Sequence, residues 1–462
     1  MVTSSILQSA SFHATRERSV HALLAAREPG GWWTGKLSTS ALSTATAINA
    51  LLQVGHTFDL RAISRGASWL IGNQLPDGSW GDTTASRGNL STTLLCWSVL
   101  TAVCDATPES IGSMRNASEA IGSAAAWIEK RAGALDGRSV ASALAAIYGR
   151  DRTFSVPILT HAVLCGSFGD PQDPKTWKIV PQLPFELAAL PQKWFRLVNM
   201  QVVSYALPAL IAIGQVRHKI APKWGPRSWM RDRSADDTLA KLDEIQPSNG
   251  GFLEATPLTS FVTMSLAAMG LAEHPVARRG VAFLRAAQRP DGSWPIDTNL
   301  ATWGTTLAVG ALATSGHLTK HLQQADRDAI RGWLLAQQWK ETHPYTGAEA
   351  GGWAWTDLPG GVPDADDTSG AIVALAALEA AENRPASNEV REAAAAGLTW
   401  LANLANRNGG MPTFCKGWGR LPFDTSCPDI TAHFLRATEA WKHLGGGDLP
   451  GRDLLLRHHL DR

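Results

Sequence analysis

Apolar and polar residues follow a helical spacing along most of the chain, and the strict alternation typical of a half-buried strand is absent. An apolar segment such as Gly280–Ala287 is followed by a turn and, about ten residues after the turn, by a second apolar segment such as Thr305–Leu312. Pairs of this kind recur with a period of roughly 40–50 residues, which is typical of stacked helical hairpins. The pattern therefore predicts an all-α fold.

The turns between the paired segments share a signature that begins with Gln and ends with a large apolar residue. Gln74-Leu-Pro-Asp-Gly-Ser-Trp80 and Gln288-Arg-Pro-Asp-Gly-Ser-Trp294 agree at six of their seven positions. Pro-Asp-Gly ends a helix and forces a tight turn, the Gln amide bridges groups at neighbouring helix ends, and the Trp buries a large area between repeats. Looser copies are Gln246 to Phe252, Gln338 with Gly352-Trp353, Gly30-Gly31-Trp32 and Gly409-Gly410-Met411.

Composition and charge exclude several classes of protein. The chain has 462 residues, a formal net charge of +1, 44% hydrophobic residues and 18% charged residues. It can therefore build a large core, and it has no charge excess for nucleic acid. No apolar run reaches the length of about 18 residues that a membrane span needs, and the N-terminus lacks a secretory signal pattern. Five cysteines without paired spacing exclude a disulfide framework and favour a reducing, cytoplasmic location.

The Gln-x-x-x-Gly-x-Trp turns between paired helices resemble the repeats of squalene–hopene and oxidosqualene cyclases, which are class II terpene cyclases. The resemblance implies α/α (toroid) barrels of paired helices in two lobes, one over residues 30–290 and one over residues 1–29 plus 291–462. It extends from about residue 10 to about residue 440, so the second lobe is expected to be shorter than in the family. A homo-oligomer or a partner chain would then supply the wall of the cavity that the shorter lobe lacks.

An acid motif, Pro363-Asp364-Ala-Asp366-Asp367-Thr368, places three carboxyl groups within four residues. Carboxyl groups packed this closely cannot all ionise, so one keeps a proton, and protonation of an unactivated alkene needs such a shielded acid. The motif matches the Asp-x-Asp-Asp signature of class II cyclases, and the resemblance makes Asp366 the proton donor. The alternative is an N-cap cluster for a helix over residues 370–380. Both hold if Asp364 or Asp367 caps the helix while Asp366 faces the cavity.

A second motif, Asp424-Thr-Ser-Cys-Pro-Asp429-Ile-Thr-Ala-His433, places a histidine 67 residues beyond Asp366. It resembles the family segment whose histidine is hydrogen-bonded to the catalytic acid. The resemblance implies that His433 holds one oxygen of Asp366 and leaves the proton on the other. Asp429 lies one helical turn before His433 on the same face, and we expect it to orient the imidazole ring. The alternative for a lone histidine in a helix is a packing residue.

Three tryptophans match aromatic positions of the family. Trp355 lies nine residues before Asp364, where the family has a cavity Phe. Trp303 stands where the family has Trp followed by Asp-Thr, with Gly304 replacing the Asp here. Trp177 begins a segment similar to the family's Trp-x-x-Val-Pro at the cavity mouth. Aromatic faces stabilise carbocations by about 2 kcal/mol or more in a dry site. Each of the three is therefore a candidate for holding the cation, with core packing as the alternative.

Signatures of other cofactor chemistry are absent. No Asp-Asp-x-x-Asp motif and no Gly-rich phosphate loop occur, so ionisation-initiated cyclisation and nucleotide binding have no support. We expect no metal for a hydrocarbon substrate, and Mg²⁺ only for a diphosphate substrate. Cys427 with Asp424, Asp429 and His433 forms an alternative zinc set. Its spacing departs from the Asp-x-Cys of prenyltransferase β-subunits and leaves the acid motif unexplained.

A segment with alternating basic and aromatic residues follows a long apolar stretch. Residues 219–233 contain Trp224, Trp229 and Met230 among lysines and arginines. Tryptophan combined with basic residues is typical of contact with a membrane interface, and the related cyclases have a nonpolar plateau at this place. The sequence therefore predicts a peripheral membrane contact in addition to a cytoplasmic location.

The leading function hypothesis is a class II terpene cyclase that cyclises a linear polyprenyl substrate after protonation by Asp366. A shorter isoprenoid or a prenylated aromatic would suit the abbreviated second lobe better than squalene. The alternative is a non-catalytic isoprenoid-binding or scaffold protein of the same fold. The abbreviated lobe favours that alternative, whereas the intact acid motif with its histidine favours the enzyme.

Overall fold

Helices form nearly all of the regular structure in the computed structural model, which describes residues 10–106, 116–149, 151–190, 202–382, 384–417, 419, 421 and 423–447. The helices are, in chain order, α1 (Ala10–Ala25), α2 (Ala41–Val54), α3 (Leu60–Gly72), α4 (Leu90–Ala106), α5 (Ala117–Ala132), α6 (Gly137–Tyr148), α7 (Arg152–Leu164), α8 (Val202–Ile220), α9 (Pro226–Ile245), α10 (Thr256–Ala268), α11 (Pro275–Ala287), α12 (Ala301–Thr314), α13 (Leu318–His321), α14 (Gln324–Ala336), α15 (Ala365–Ala380), α16 (Asn388–Leu404) and α17 (Pro428–His443). Short 3₁₀ turns cover Thr57–Asp59, Thr176–Ile179, Phe185–Ala189 and Phe252–Glu254. Two two-residue strands, β1 (Thr39–Ser40) and β2 (Trp294–Pro295), pair antiparallel with Ser40 opposite Trp294. The predicted all-α, α/α class is confirmed.

The described residues divide into two compact units. The central unit comprises residues 37–194 and 203–298 as far as they are described, and the terminal unit comprises residues 10–36 and 299–447. The predicted domain limits, residues 30–290 and residues 1–29 plus 291–462, stay a prediction, because compactness alone does not test which segments fold independently.

Two kinds of helix alternate within each unit. α2, α4 and α10 of the central unit, and α15 of the terminal unit, are buried on nearly every side. α12 of the terminal unit is largely buried but leaves Trp303 and Leu307 exposed. α3, α11, α14 and α16 bury one face only, as α3 does with Ile63, Gly66, Ala67 and Leu70. A helix that is apolar all round must lie inside, whereas a one-sided helix covers it. The units are thus built from inner helices paired with outer ones.

The repeat tryptophans bond to the C-terminal ends of the outer helices. The indole N–H of Trp80 donates to the carbonyl oxygen of Leu70 over 2.8 Å. Trp294 makes the same bond to Leu284 over 2.7 Å, and Trp353 to Leu334 over 2.7 Å. In each case the indole bonds to a carbonyl oxygen near the C-terminal end of an outer helix, where the regular helical hydrogen bonds end. The predicted structural role of these tryptophans is confirmed.

The repeat glutamines tie each turn to a neighbouring outer helix. Gln74 donates from Nε2 to the carbonyl oxygens of Gly78 and Ala120, both over 2.9 Å. Gln246, Gln288 and Gln338 bond in the same way to a glycine of their own turn and to the beginning of another outer helix. The turn glycine cannot be replaced, because Gly78 has φ 87° and an added Cβ would lie 2.8 Å from the oxygen of Ser123.

One degenerate repeat differs from the prediction by a single residue. Trp33, not Trp32, takes the repeat position, since its indole N–H donates to Leu23 O over 2.7 Å. Trp32 instead stacks on Trp333 with ring centroids 5.4 Å apart. The repeat needs a glycine with positive φ two residues before the tryptophan, and Gly31 with φ 111° meets that condition.

None of the helices in the described part of the chain combines the length and the apolar character needed to cross a bilayer.

Candidate active site

The acid motif forms the first turn of the inner helix α15. Asp364 is the N-cap residue, with extended φ and ψ, and its Oδ1 accepts a hydrogen bond from the backbone N–H of Asp367 over 2.8 Å. The helix therefore begins at Ala365, five residues before the start predicted at residue 370. A capping aspartate compensates the free N–H groups of the first turn. The capping hypothesis is confirmed for Asp364.

Asp364 and Asp367 form a buried pair of carboxyls. Their exposed fractions are 3% and 4%, and the two side chains hydrogen-bond to each other. Burial raises the pKa of both, and the charge of Asp366 adds to the rise in each, as the charge of Asp364 does for Asp367. Oδ2 of Asp364 and Oδ1 of Asp367 find no hydrogen-bond partner in the described part of the chain. The pair therefore retains a proton where an isolated aspartate would be ionised.

Asp366 differs from both neighbours in its exposure and its partner. Its side chain is 36% exposed, and His433 on α17 lies 2.6 Å away, measured from Nδ1 to Oδ1. The hydrogen bond from His433 lowers the pKa of Asp366, with a smaller lowering by a hydrogen bond from Trp303, while partial burial acts in the opposite direction. Asp366 and His433, which are 67 residues apart in sequence, are thus brought together as the motifs predicted.

The approach of α17 to α15 depends on a glycine that the sequence analysis did not single out. A Cβ added at Gly370 would lie 2.9 Å from Thr306 Oγ1 and 3.4 Å from His433 Cε1. A side chain there would therefore press on the imidazole that holds Asp366. The only signal in the sequence is a glycine inside a helix directly after the acid motif, which costs helix stability and so asks for a packing reason.

Trp303 and Trp355 lie beside the acid cluster in the terminal unit. Trp303, at the start of α12, is 39% exposed, and its indole contributes a small lowering to the pKa of Asp366. The carbonyl oxygen of Trp355 accepts from the backbone N–H groups of Thr302 and Trp303 over 3.0 and 3.2 Å. The Trp355 ring also packs edge-on against Phe414, with centroids 5.9 Å apart. The two tryptophans are therefore neighbours, and their predicted cation-binding role stays a prediction.

The remaining two predicted site residues do not join this cluster within the terminal unit. Trp177 belongs to the central unit, is fully buried and donates its indole N–H to Pro171 O over 2.8 Å, as a packing tryptophan does. Asp429 is exposed in the first turn of α17 and, among the described residues, forms no hydrogen bond with His433. Their predicted functional roles stay predictions.

A pocket of about 630 Å³ opens beside His433 in the terminal unit. Its wall is formed by α12 and α15, with Leu307 and Val373 among its apolar residues. Arg16 and Arg436 are the arginines that line it. They could not be found from the sequence, because nothing in the spacing of the chain relates residue 16 to residue 436.

Two models of one protein family match the chain. The squalene–hopene cyclase N-terminal domain matches residues 17–159, and the squalene–hopene cyclase C-terminal domain matches residues 299–435. Together they cover more than half of the chain. The second span includes the acid motif and His433.

The curated relatives are distant and longer. Enfumafungin synthase efuA of Hormonema carpetanum is 24% identical over 504 residues, covering 91% of this chain and 34% of the relative. The squalene–hopene cyclase of Zymomonas mobilis subsp. mobilis is 23% identical over 461 residues, covering 86% of this chain and 63% of the relative. The chain thus spans only part of the length of both.

Solved structures of terpene cyclases are also similar to this chain. Abietadiene synthase from Abies grandis has 16% identity and a TM-score of 0.49, with 92% of this chain and 48% of that chain covered. A variant of the type II terpene cyclase MstE from Scytonema, in complex with its substrate geranylgeranyl dihydroxybenzoate, has 14% identity and a TM-score of 0.21. That comparison covers 93% of this chain and 97% of the other. The isoprenoid named there is the substrate of that protein.

Proposed function

Because the chain belongs to the squalene–hopene cyclase family of class II terpene cyclases, we propose that it cyclises a linear polyprenyl substrate in a cascade started by protonation. The observation that carries the proposal is the contact of 2.6 Å between His433 Nδ1 and Asp366 Oδ1 beside a buried carboxyl pair. A scaffold protein has no use for an acid cluster of this kind, because buried carboxyls cost stability unless they are fully paired.

Asp366 is the proton donor in this proposal. It is the one carboxyl of the cluster with substantial exposure, 36% against 3% and 4% for its neighbours, so it alone can contact a substrate. With Oδ1 held by His433, the proton is carried on the other oxygen. The π electrons of the terminal double bond take that proton to form a C–H bond, the O–H electrons stay on the carboxylate, and a tertiary cation forms. An epoxide would be opened in the same way.

The proton reaches Asp366 when the substrate displaces water. In the free protein the bond with His433 lowers the pKa of Asp366. Loss of water around the exposed part of Asp366 raises this pKa, since desolvation disfavours the charged form. Asp366 then keeps a proton taken from solvent on its other oxygen, while Oδ1 stays in contact with His433 Nδ1.

The cation then passes along the prefolded chain as each double bond attacks it in turn. Trp303 and Trp355 are the aromatic residues beside the acid, and we assign them to the first cation. Loss of a proton ends the cascade and makes the reaction an isomerisation, whereas capture of water adds a hydroxyl. A hydrocarbon substrate needs no metal for these steps.

Contact with an anionic lipid surface belongs to the same proposal, since polyprenyl substrates reside in membranes. Trp224, Trp229 and Met230 are exposed around the start of α9, and Lys223 and Arg227 lie among them. Exposed indoles and cationic side chains on one short segment suit the headgroup region of a leaflet.

The test is turnover by the purified chain and by Asp366→Asn. We expect squalene, oxidosqualene, farnesyl and geranylgeranyl compounds to include a substrate, with a product of equal mass or one water heavier. In D₂O the product should gain a single deuterium at the protonated end. Asp366→Asn should abolish turnover while leaving the fold intact, because the amide keeps the shape but has no acidic proton.

Asp105→Asn, on the exposed end of α4, is the matched control and should keep full activity. Retention of more than a trace of activity by Asp366→Asn would show that Asp366 is not the donor. A chain that binds these isoprenoids without converting any of them would be a binding or scaffold protein.

A further inference from the structure

A second cluster of ionisable side chains lies away from the acid motif in the terminal unit. Glu17 comes from α1, His317 directly precedes the short helix α13, and His321 is the last residue of α13. His321 Nε2 lies 3.2 Å from His317 Nδ1, and His317 Nε2 lies 3.7 Å from Glu17 Oε1. His21, one helical turn after Glu17, has its ring centroid 6.0 Å from that of His321. Imidazole and carboxylate groups thus converge from two segments about 300 residues apart in sequence.

The spacing of the three groups suits a transition-metal ion. One ligand atom each from Glu17, His317 and His321 lies within 4.8 Å of the others. Ligands of tetrahedral zinc lie about 2.0–2.2 Å from the ion, which places them about 3.3 Å from one another. Small side-chain rotations would bring the three ligand atoms from their present separations to the spacing around a zinc ion. Two imidazoles with one carboxylate are typical ligands of zinc and of neighbouring divalent metals.

His317 supplies an independent sign that a ligand belongs here. The residue is 4% exposed, and its buried Nε2 has no hydrogen-bond partner among the described residues. Buried polar atoms are nearly always bonded, so an orphan atom asks for an explanation. An ion bound between His317 and Glu17 would give this atom a partner.

We propose that Glu17, His317 and His321 bind a divalent transition-metal ion of the zinc class, which fastens α1 to α13. Lys320 opposes the ion, because its Nζ lies 3.8 Å from the same Glu17 oxygen and competes for it. The proposal is independent of the cyclase chemistry, and it adds a structural metal site where the sequence predicted none.

The experiment titrates the EDTA-treated chain with Zn²⁺ alone, followed by calorimetry. We expect Glu17→Gln and His321→Gln to weaken zinc binding at least about 100-fold, since loss of outer-shell partners alone costs 10- to 100-fold. Lys320→Gln should tighten it about fivefold, because removal of a unit charge about 4 Å from Glu17 is worth that factor in water. His13→Gln, which alters an exposed histidine of α1, is the control and should bind as the unaltered chain does.

Two further readouts separate a metal site from a packing cluster. Zn²⁺ should raise the melting temperature of the unaltered chain but not of Glu17→Gln, since an ion that binds only the folded state stabilises it. Co²⁺ in place of Zn²⁺ should give a visible absorption band that His321→Gln removes. Glu17 is partly exposed, so its substitution leaves the fold intact. Equal zinc affinity in the unaltered chain, Glu17→Gln and His321→Gln would overturn the proposal, as would failure of the unaltered chain to bind zinc.

Discussion

The three carboxyls of the acid motif lie within one helical turn, yet their pKa values shift in opposite directions. Asp364 and Asp367 point into the core, where burial raises their pKa. Asp366 points to the partly exposed side, where the bond from His433 lowers its pKa. Neighbouring carboxyls can thus take different roles, because the local environment of each one sets its pKa. The buried pair holds a proton without donating it, and Asp366 is the group that a substrate can reach.

The contact between His433 and Asp366 predicts how activity responds to loss of the imidazole. His433→Ala should slow the initiating step roughly 10²- to 10⁴-fold, the usual contribution of a positioned acid–base partner. An epoxide is easier to protonate than an alkene, so the rate on a matched epoxide substrate should fall by a smaller factor. The rates on both substrates and the melting curve are measured on one preparation.

His443→Ala, an exposed residue at the end of the same helix, should change neither rate. If His433 only packs, the losses on alkene and epoxide will be equal and the melting temperature of His433→Ala will fall. That pattern would contradict the partner role.

The raised pKa of Asp367 predicts a pH-dependent gain in stability when its charge is removed. A carboxyl with a raised pKa keeps its proton in the folded state after the unfolded chain has released it. Stability therefore falls as the pH rises above the ordinary aspartate value of about 3.9, towards the raised value. Asp367→Asn cannot ionise, and its amide can donate to Asp364 as the protonated carboxyl does. We expect the variant to melt at least about 2 °C higher at pH 8, with the difference shrinking by pH 5. Parallel melting curves across this range would show that Asp367 is not protonated in the folded state.

Each repeat element carries a threonine whose importance only the contacts reveal. The backbone N–H of Trp80 donates to Thr93 Oγ1 over 3.1 Å, that of Trp294 to Thr44 over 3.0 Å, and that of Trp353 to Thr368 over 2.9 Å. The same bond joins Trp33 to Thr305, Phe252 to Thr259 and Met411 to Thr431. Thr368, which follows the three acids, is therefore the repeat threonine of its inner helix. Its hydroxyl also donates to Asp364 O over 2.6 Å.

This shared bond predicts the cost of removing one repeat hydroxyl. Thr93→Val keeps the shape but leaves the buried N–H of Trp80 without an acceptor, which should cost about 1–3 kcal/mol of unfolding free energy. Thr101→Val is the matched change on the same helix, because Thr101 Oγ1 bonds only within α4, to Trp97 O over 2.9 Å. Denaturant unfolding of both variants should show a loss for Thr93→Val alone. An equal loss of unfolding free energy in both variants would show that the bond from Trp80 to Thr93 adds no stability of its own.

At the scale of the whole molecule, the exposed surface around the start of α9 predicts binding to lipid. Trp224 is fully exposed, and Trp229 and Met230 are 64% and 52% exposed. We expect the chain to sediment with vesicles that contain an anionic lipid, and less so at high salt, which screens the basic residues. The double change Trp224→Ser with Trp229→Ser should weaken the partition at least about tenfold, given about 1.5 kcal/mol or more for each large side chain withdrawn from water.

Ile147→Ser, an exposed apolar residue of α6 with 58% exposure, is the control and should bind vesicles as the unaltered chain does. Equal binding by the double variant would show that this surface does not enter the lipid. Cytoplasmic location and assembly with a second chain stay predictions at this scale.

Much of the candidate site could be predicted from short segments of the sequence, and the predictions that were wrong have a physical cause. The acid motif and His433 could be found because both stand in short, recognisable segments. The start of α15 was predicted five residues late, because a capping aspartate inside an acidic run looks like part of a loop until its bond to the N–H of Asp367 is seen. The sequence prediction placed Trp32, not Trp33, at the repeat position. Each tryptophan has a glycine two residues before it, and only the structure shows that Gly31, before Trp33, is the glycine with a positive φ.

The sequence by itself determined the helical class, the inner and outer character of the helices and the chemistry of their turns, because these depend on periodicity and on residues close together in the chain. Only the tertiary structure decided which carboxyl is exposed, that Trp303 lies beside Asp366, and that Gly370 leaves space for His433. It also decided that Glu17 meets His317 and His321. These arrangements join residues tens to hundreds of positions apart, and such distances are set by how whole helices pack, which no local pattern encodes.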